Sequence, residues 1–87
     1  MRITFANEDA FTDYSEWTMH DRKTAKKIMS LIKDIKRTPY SGLGKPEPLK
    51  YELSGYWSRH ITHEHRLVYR IDNETIEILS CKYHYMQ

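Results

Sequence analysis

Apolar residues recur along this chain at two spacings, one helical and one strand-like, and the change falls near residue 39. Residues 2–6 alternate polar and apolar side chains, which predicts a short strand. Asn7 follows where a helix N-cap is expected, with two acidic residues after it that suit the positive end of a helix dipole. Aromatic residues then recur at helical spacing to about residue 19, which is typical of a core-facing helix: Phe11, Tyr14 and Trp17.

A second helix is predicted over residues 22–37, with Asp21 as its N-cap. One apolar stripe runs along it, formed by Ala25, Ile28, Leu31, Ile32 and Ile35. Basic residues occupy the remaining faces: Lys23, Lys26, Lys27, Lys33, Lys36 and Arg37. The helix should end before Pro39, because the residue that precedes a proline disfavours helical backbone.

The second half of the chain predicts a loop followed by strands. Residues 39–48 hold all three prolines and two of the three glycines, which indicates a constrained loop. Alternating apolar residues then predict a hairpin, with one arm over residues 49–53 and the other over 56–61, and two further strands over 66–71 and 75–83. The order β-α-α-β-β-β indicates an α+β fold, in which two N-terminal helices pack on one face of a twisted antiparallel sheet.

Length and composition narrow the class of protein. A chain of 87 residues is expected to form one domain, spanning residues 1–87. It contains no apolar run of about 18 residues and no signal-peptide pattern, so we expect no membrane association. The single cysteine, Cys81, cannot form an internal disulfide, which fits the reducing cytoplasm, and its apolar neighbours predict a buried core residue.

The net charge of +2 hides a strong asymmetry along the sequence. Residues 22–50 carry nine basic and two acidic side chains, whereas residues 1–21 carry one basic and five acidic. A concentrated basic stretch favours a polyanionic or acidic partner. The alternative is an ordinary solvated helix face, and the charge pattern alone leaves both open.

The polar residues left after the core is assigned include a carboxylate, several cations and several imidazoles. They fall in three places: Lys45, Glu47 and Lys50 in and after the loop, Arg59 to Arg66 across two strands, and residues 82–85 at the C-terminus. This set suits RNA cleavage, which needs a base for the ribose 2′-OH, a cation for the phosphate charge and an acid for the leaving oxygen. Spacing alone leaves open that Glu47 is a solvated loop residue and that His84 belongs to a frayed end.

Metal and nucleotide chemistry find little support. The five histidines include His63 and His65, but a zinc site needs roughly three or four convergent ligands, and the chain has no cysteine pair and no HExxH motif. Phosphate-binding glycine motifs are also missing from the sequence. We therefore expect neither a metal nor a cofactor.

Four motifs lie in order at residues 44–50 (GKPEPLK), 53–59 (LSGYWSR), 61–69 (ITHEHRLVY) and 81–85 (CKYHY). Together they resemble the YoeB/Txe toxins of the RelE-type superfamily, and the N-terminal half resembles that family more loosely. The resemblance implies a RelE-like fold and a metal-independent endoribonuclease that cleaves mRNA in the ribosomal A site. It also implies a YefM-type antitoxin as partner, while the oligomeric state, including a homodimer, stays open.

The resemblance also implies a role for each matching residue. Glu47 would be the general base, His84 the general acid and Arg66 the group that stabilises the transition state. The substrate-binding residues would be Lys45, Lys50, Arg59, His60 and Tyr85. His60 departs from the family, in which a second arginine tends to follow the one at Arg59, so less fixed positive charge is expected there.

Two other interpretations of the sequence remain. One is a toxin of the same fold that acts like ParE, by binding gyrase without catalysis, although the combination of base, cation and acid argues against it. The other is a non-enzymatic module that binds RNA or protein through the basic helix. A cleavage assay with purified ribosomes separates both from an endoribonuclease.

Overall fold

The structure is a computed structural model, and it describes residues 1–84. The strands are β1 (Arg2–Phe5), β2 (Glu47–Pro48), β3 (Trp57–His60), β4 (Arg66–Asp72) and β5 (Thr75–Ser80). The helices are α1 (Glu8–His20) and α2 (Arg22–Arg37), with a single 3₁₀ turn at Tyr51–Leu53. Neither α-helix in this part of the chain is long and apolar enough to cross a membrane.

Both predicted helices and both predicted caps are confirmed. The Asn7 side chain accepts a hydrogen bond of 2.8 Å from the Ala10 amide and starts α1. Asp21 accepts hydrogen bonds of 3.1 Å from the Thr24 amide and 2.9 Å from the Thr24 hydroxyl and starts α2. These bonds stabilise the ionised carboxylate and lower the pKa of Asp21.

The five strands form one sheet in the order β1-β5-β4-β3-β2. The pairs from β2 to β5 are antiparallel, as predicted, but β1 runs parallel to β5, with Arg2 opposite Thr75. The sheet is therefore mixed, and the expectation of a wholly antiparallel sheet was wrong for this pair. No tight turn joins β1 to its neighbour, so nothing local in the sequence fixes its direction.

Two strand boundaries also differ from the prediction. The first arm of the hairpin is β2, at Glu47–Pro48. The last three of the residues predicted as this arm, Tyr51–Leu53, form the 3₁₀ turn, in which Tyr51 has a φ of 56°. Three apolar residues in alternation fit a compact turn as well as a strand, so the pattern could not separate them. Strand β5 ends at Ser80, not near residue 83.

The main core lies between α2 and the sheet. The α2 stripe supplies Ile28, Leu31 and Ile35, all fully buried, which pack with Tyr69, Ile76 and Ile78 of the sheet. Cys81 is buried in the same cluster, as predicted, and burial raises the pKa of its thiol to about 12. The indole N–H of Trp17 on α1 donates to the Cys81 carbonyl at 2.9 Å, which fixes the end of β5 against the helices.

Candidate active site

The alternation of side chains along β3 decides which candidate residues share a surface. Arg59 pairs with Leu67, a residue of the main core, and so points toward the helices. His60 therefore points to the opposite face, where its partner across the strands is Arg66. Glu47 pairs with Ser58, two residues before His60, and lies on that same face. Three candidates from three different strands thus lie on the sheet face away from the helices.

Arg59 is fully buried, and the structure contradicts the expectation that it binds substrate. Its guanidinium lies 2.6 Å from the Asp34 carboxylate and donates a bond of 3.1 Å to the Tyr69 hydroxyl. It also donates to three loop carbonyls, at 2.7 to 3.0 Å: Thr38, Ser41 and Leu43. A planar group with five donors suits this arrangement, so we assign Arg59 a structural role.

This buried network fixes the loop that leads to Lys45 and Glu47. Asp34 accepts a bond of 2.9 Å from the Leu43 amide, which together with Arg59 lowers the pKa of its carboxyl group. The Gly44 carbonyl then accepts from the His60 amide at 2.7 Å, and Lys45 follows with a φ of 54°. The loop is therefore attached to α2 and β3 immediately before the candidate residues.

Arg66 is 9% exposed, and hydrogen bonds to nearby main-chain carbonyls hold its side chain. Its Nη1 donates to the carbonyls of Thr62, His63 and His65, at 2.8, 3.0 and 3.1 Å. Within residues 1–84, each described side-chain hydrogen bond of Arg66 uses Nη1. Among the described residues, Nε and Nη2 are thus left as donors for an added phosphate.

His84 reaches the same point from the C-terminal segment. Its Nε2 lies 3.3 Å from the His63 carbonyl, which also accepts from Arg66. A carbonyl oxygen only accepts, so this contact requires the proton on Nε2. His84 is exposed. An exposed imidazole with its proton on a known nitrogen therefore lies beside a fixed guanidinium.

The pKa of His60 responds to the charged residues around it. Its pKa is lowered, first by partial burial and then by the positive charges of Arg66 and Lys45. Glu47 acts on the pKa of His60 in the opposite direction, and His84 adds a further lowering contribution. Such effects weaken with distance, so these four charged side chains lie near His60. Lys45, Glu47, Arg66 and His84 thus lie near His60, and the neutral form of His60 is favoured.

The remaining candidates differ in how well they can be located. Lys45 and Glu47, both near His60, are exposed, and so is Lys50, which follows β2. Tyr85 lies outside the described residues, so its role stays a prediction. Among residues 1–84, no group of three or more histidine, cysteine, aspartate or glutamate side chains could hold a metal ion.

Two contributions were missed by the sequence reasoning. His65 was noted as polar but given no role, although its Nδ1 accepts a 2.8 Å hydrogen bond from the Tyr83 amide. Trp17 was interpreted only as core, yet its N–H anchors Cys81 at the start of the C-terminal segment. A partly buried indole N–H usually finds a partner, which was the one signal in the sequence, but the partner lies 64 residues away.

Comparison with known proteins identifies the class to which this fold and cluster belong. A family profile described as "YoeB-like toxin of bacterial type II toxin-antitoxin system" matches residues 5–85. The chain is 53% identical over 79 residues to Toxin YoeB of Escherichia coli K12, covering 91% of this chain and 94% of that protein. The class is therefore that of toxins from type II toxin–antitoxin systems, and this chain belongs to the YoeB family.

Solved structures agree with the assignment. A YoeB–YefM complex from Staphylococcus aureus contains a chain that is 51% identical, with a TM-score of 0.91 and coverage of 98% of both chains. A YoeB dimer from the same organism is 52% identical, with a TM-score of 0.90 and the same coverage. The predicted α+β, RelE-like fold is confirmed, with the one parallel strand pair described above.

Proposed function

We propose that this protein is an endoribonuclease that cleaves mRNA in the ribosomal A site, in the cytoplasm, and so blocks translation. Membership of a toxin family supports the proposal. The observation that carries it is that Arg66 and His84 hydrogen-bond one and the same carbonyl, that of His63. This brings a fixed cation and a proton-bearing imidazole within reach of a single phosphodiester.

Each proposed role follows from the chemistry of the side chain. Glu47 removes the proton from the ribose 2′-OH, and the resulting oxygen attacks the adjacent phosphorus. Arg66 stabilises the charge that develops on the phosphate oxygens through its remaining donors. His84 gives its proton to the 5′-oxygen as the bond to phosphorus breaks. The products are a 2′,3′-cyclic phosphate and a 5′-hydroxyl, and the ribose supplies the nucleophile.

The surrounding residues are proposed to bind the RNA. Lys45 and Lys50 offer exposed ammonium groups on either side of Glu47, suited to the neighbouring phosphates. His60 lies near Lys45 and Arg66 and would contact the substrate as a neutral hydrogen-bonding group. Tyr85 follows His84 directly and is proposed to complete the site.

A YefM-type antitoxin is the proposed protein partner, together with the ribosome. The S. aureus relative has been solved with YefM, which supports an equivalent complex here. The solved dimer of that relative supports a homodimer for this chain. The excess of positive charge on residues 22–50 suits an acidic protein as well as ribosomal RNA.

The test uses purified protein and intact ribosomes carrying a defined mRNA. Wild type should cleave the mRNA in the A-site codon, also after EDTA treatment and desalting of the protein. Cleavage should disappear when the nucleotide 5′ to the cut is 2′-deoxy, because the nucleophile is then missing. Persistent cleavage of the deoxy mRNA would contradict the mechanism. If wild type leaves the mRNA intact, the result favours the non-catalytic, ParE-like alternative.

Matched variants separate the site from general effects on the fold. Glu47→Gln, Arg66→Ala and His84→Ala should each lower the single-turnover rate by about 10² to 10³ or more. Glu52→Gln and His20→Ala remove the same chemical groups at exposed positions outside the cluster and should cleave like wild type. Equal rates for the site variants and the controls would show that the assignment of roles is wrong.

A further inference from the structure

The C-terminal segment makes an unfavourable turn just before His84. Strand β5 ends at Ser80, and Tyr83 has a φ of 59°, in the left-handed region that residues with a side chain rarely adopt. Tyr83 is also 58% exposed, so burial of its side chain does not account for this backbone conformation. Something else must hold the turn.

Both backbone polar groups of Tyr83 are held by two consecutive residues. Its amide donates to Nδ1 of His65 at 2.8 Å, and its carbonyl accepts from the Arg66 amide at 3.1 Å. The Arg66 bond comes from the main-chain amide, so it can form whatever the side chain at position 65 is. The His65 bond depends on the acceptor at Nδ1, so His65 is the side chain that holds the turn.

The imidazole of His65 is itself fixed on both sides. It packs edge-on against Trp17, with ring centroids 4.9 Å apart, and against the Tyr83 ring at 5.3 Å. Only 12% of its side chain is exposed. Because Nδ1 accepts, the proton of the neutral ring lies on Nε2, which is 3.6 Å from the Glu64 carboxylate. The orientation of the acceptor is therefore determined before any substrate arrives.

We propose that His65 is a positioning residue: its Nδ1 holds the turn at Tyr83 and so directs His84 toward the leaving oxygen of the RNA. The inference rests on the proposed function for the role of His84, but the turn itself is a property of the free protein. His65 touches neither the phosphate nor the ribose and takes no part in proton transfer. Its effect reaches the reaction only through the placement of the neighbouring imidazole.

Two substitutions separate the acceptor from the ring. His65→Asn keeps an acceptor at the position of Nδ1, since its Oδ1 is also attached to Cγ, but it loses the packing on Trp17 and Tyr83. His65→Phe keeps a ring of similar shape and loses the acceptor. His65→Gln is a polar control whose carbonyl oxygen is one bond too far along the side chain. Circular dichroism and urea unfolding establish which variants are folded.

The first measurement is independent of catalysis. In the free protein, the Tyr83 amide should exchange slowly with deuterium in wild type and His65→Asn. It should exchange at least about tenfold faster in His65→Phe and His65→Gln, because its acceptor is missing. Equal exchange in wild type and His65→Phe would overturn the proposed role of Nδ1, whatever the protein does to RNA.

The second measurement follows cleavage on ribosomes under single-turnover conditions at saturating protein. Displacement of His84 should lower the rate of His65→Phe and His65→Gln by about 10². His65→Asn should stay much closer to wild type, and ribosome affinity should be unchanged in all three. A full rate for His65→Phe, or an equal loss for His65→Asn, would show that the acceptor does not position the acid.

The third measurement asks whether the defect passes through His84. An mRNA with sulfur in place of the 5′-oxygen at the cut releases a thiolate, which needs no proton when the phosphorus–sulfur bond breaks. On this substrate, His65→Phe and His84→Ala should both recover toward the wild-type rate. If only His84→Ala recovers, His65 acts elsewhere. If wild type cleaves neither substrate, the proposed function fails, while the exchange of the Tyr83 amide still decides whether His65 holds the turn.

Discussion

The Asp34 carboxylate and the Arg59 guanidinium, 25 residues apart in sequence, lie 2.6 Å from each other and join α2 to β3. The contact is asymmetric, since the arginine is fully buried and the aspartate side chain is 15% exposed. Arg59 also donates hydrogen bonds to three loop carbonyls. One guanidinium therefore fixes α2, β3 and the loop that follows α2. The position of Lys45 and Glu47 depends on this interior contact.

Removal of the buried guanidinium should therefore be costly. Arg59→Met should lower the free energy of unfolding by at least about 3 kcal/mol, because several acceptors lose their donor inside the protein. Arg70→Met is the matched control, since Arg70 pairs with Glu77 at 2.8 Å but is 43% exposed. Urea unfolding measures both. A similar loss for the two variants would contradict the structural role of Arg59.

Gly42 should tolerate no side chain. Its φ is 108°, and a Cβ atom at this position would lie 2.1 Å from Oδ2 of Asp34. Gly55 has a similar φ of 97°, but a Cβ atom there would meet no atom within 4 Å beyond its chain neighbours. Both alanine variants carry the backbone penalty of about 1 to 2 kcal/mol, and Gly42→Ala should lose clearly more stability. Equal melting temperatures would show that the loop accommodates the methyl group.

Acid should destabilise the protein through His60. Burial and the nearby Arg66 and Lys45 lower the pKa of His60 below its ordinary value of 6.5 in the folded state. As the pH falls below 6.5, the unfolded chain binds the proton more readily, so stability is lost until the folded pKa is passed. The range from about pH 7.5 to 5 brackets the ordinary pKa of histidine. Over this range, wild type should therefore lose more unfolding free energy than His60→Gln. His20→Gln is the control for the loss of an exposed histidine. The effect is contradicted if the stability of His60→Gln falls with pH in parallel with that of wild type.

The basic face of α2 should serve association with the ribosome. Lys23, Lys26 and Lys27 are exposed on the first turns of α2. Their replacement by glutamine should weaken ribosome binding and flatten its dependence on salt, because fewer counterions are released from RNA. Sedimentation with ribosomes over a range of KCl concentrations measures both. Unchanged affinity and slope would show that these lysines are only a solvated helix face.

Local patterns in the sequence predicted the elements whose signals are local. Asn7 and Asp21 fixed the helix starts, because each cap bonds to an amide three residues ahead. The parallel pairing of β1 depended on a contact between distant parts of the chain, Arg2 with Thr75, which leaves no periodic trace. The 3₁₀ turn was missed because its apolar residues also alternate.

In the site, too, some features followed from local sequence patterns and others depended on contacts between distant residues. Strand parity implied that Arg59 and His60 face opposite ways, but the location of Asp34 on α2 decides which of them enters the core. The roles of Glu47, Arg66 and His84 came from the family resemblance, and the structure adds their common neighbourhood around His60. The acceptor at His65 could not be foreseen, because the tyrosine amide that it binds carries no sequence signal.

The pairing of β1 with β5 has a consequence for the order in which the protein comes to exist. Arg2 and Thr75 are partners in the sheet, so the first strand to be synthesised waits for the last one before it can pair. Contacts of such long sequence separation form late. Residues 81–84 follow β5 directly, so the cluster that includes His84 assembles only after β5 has been synthesised.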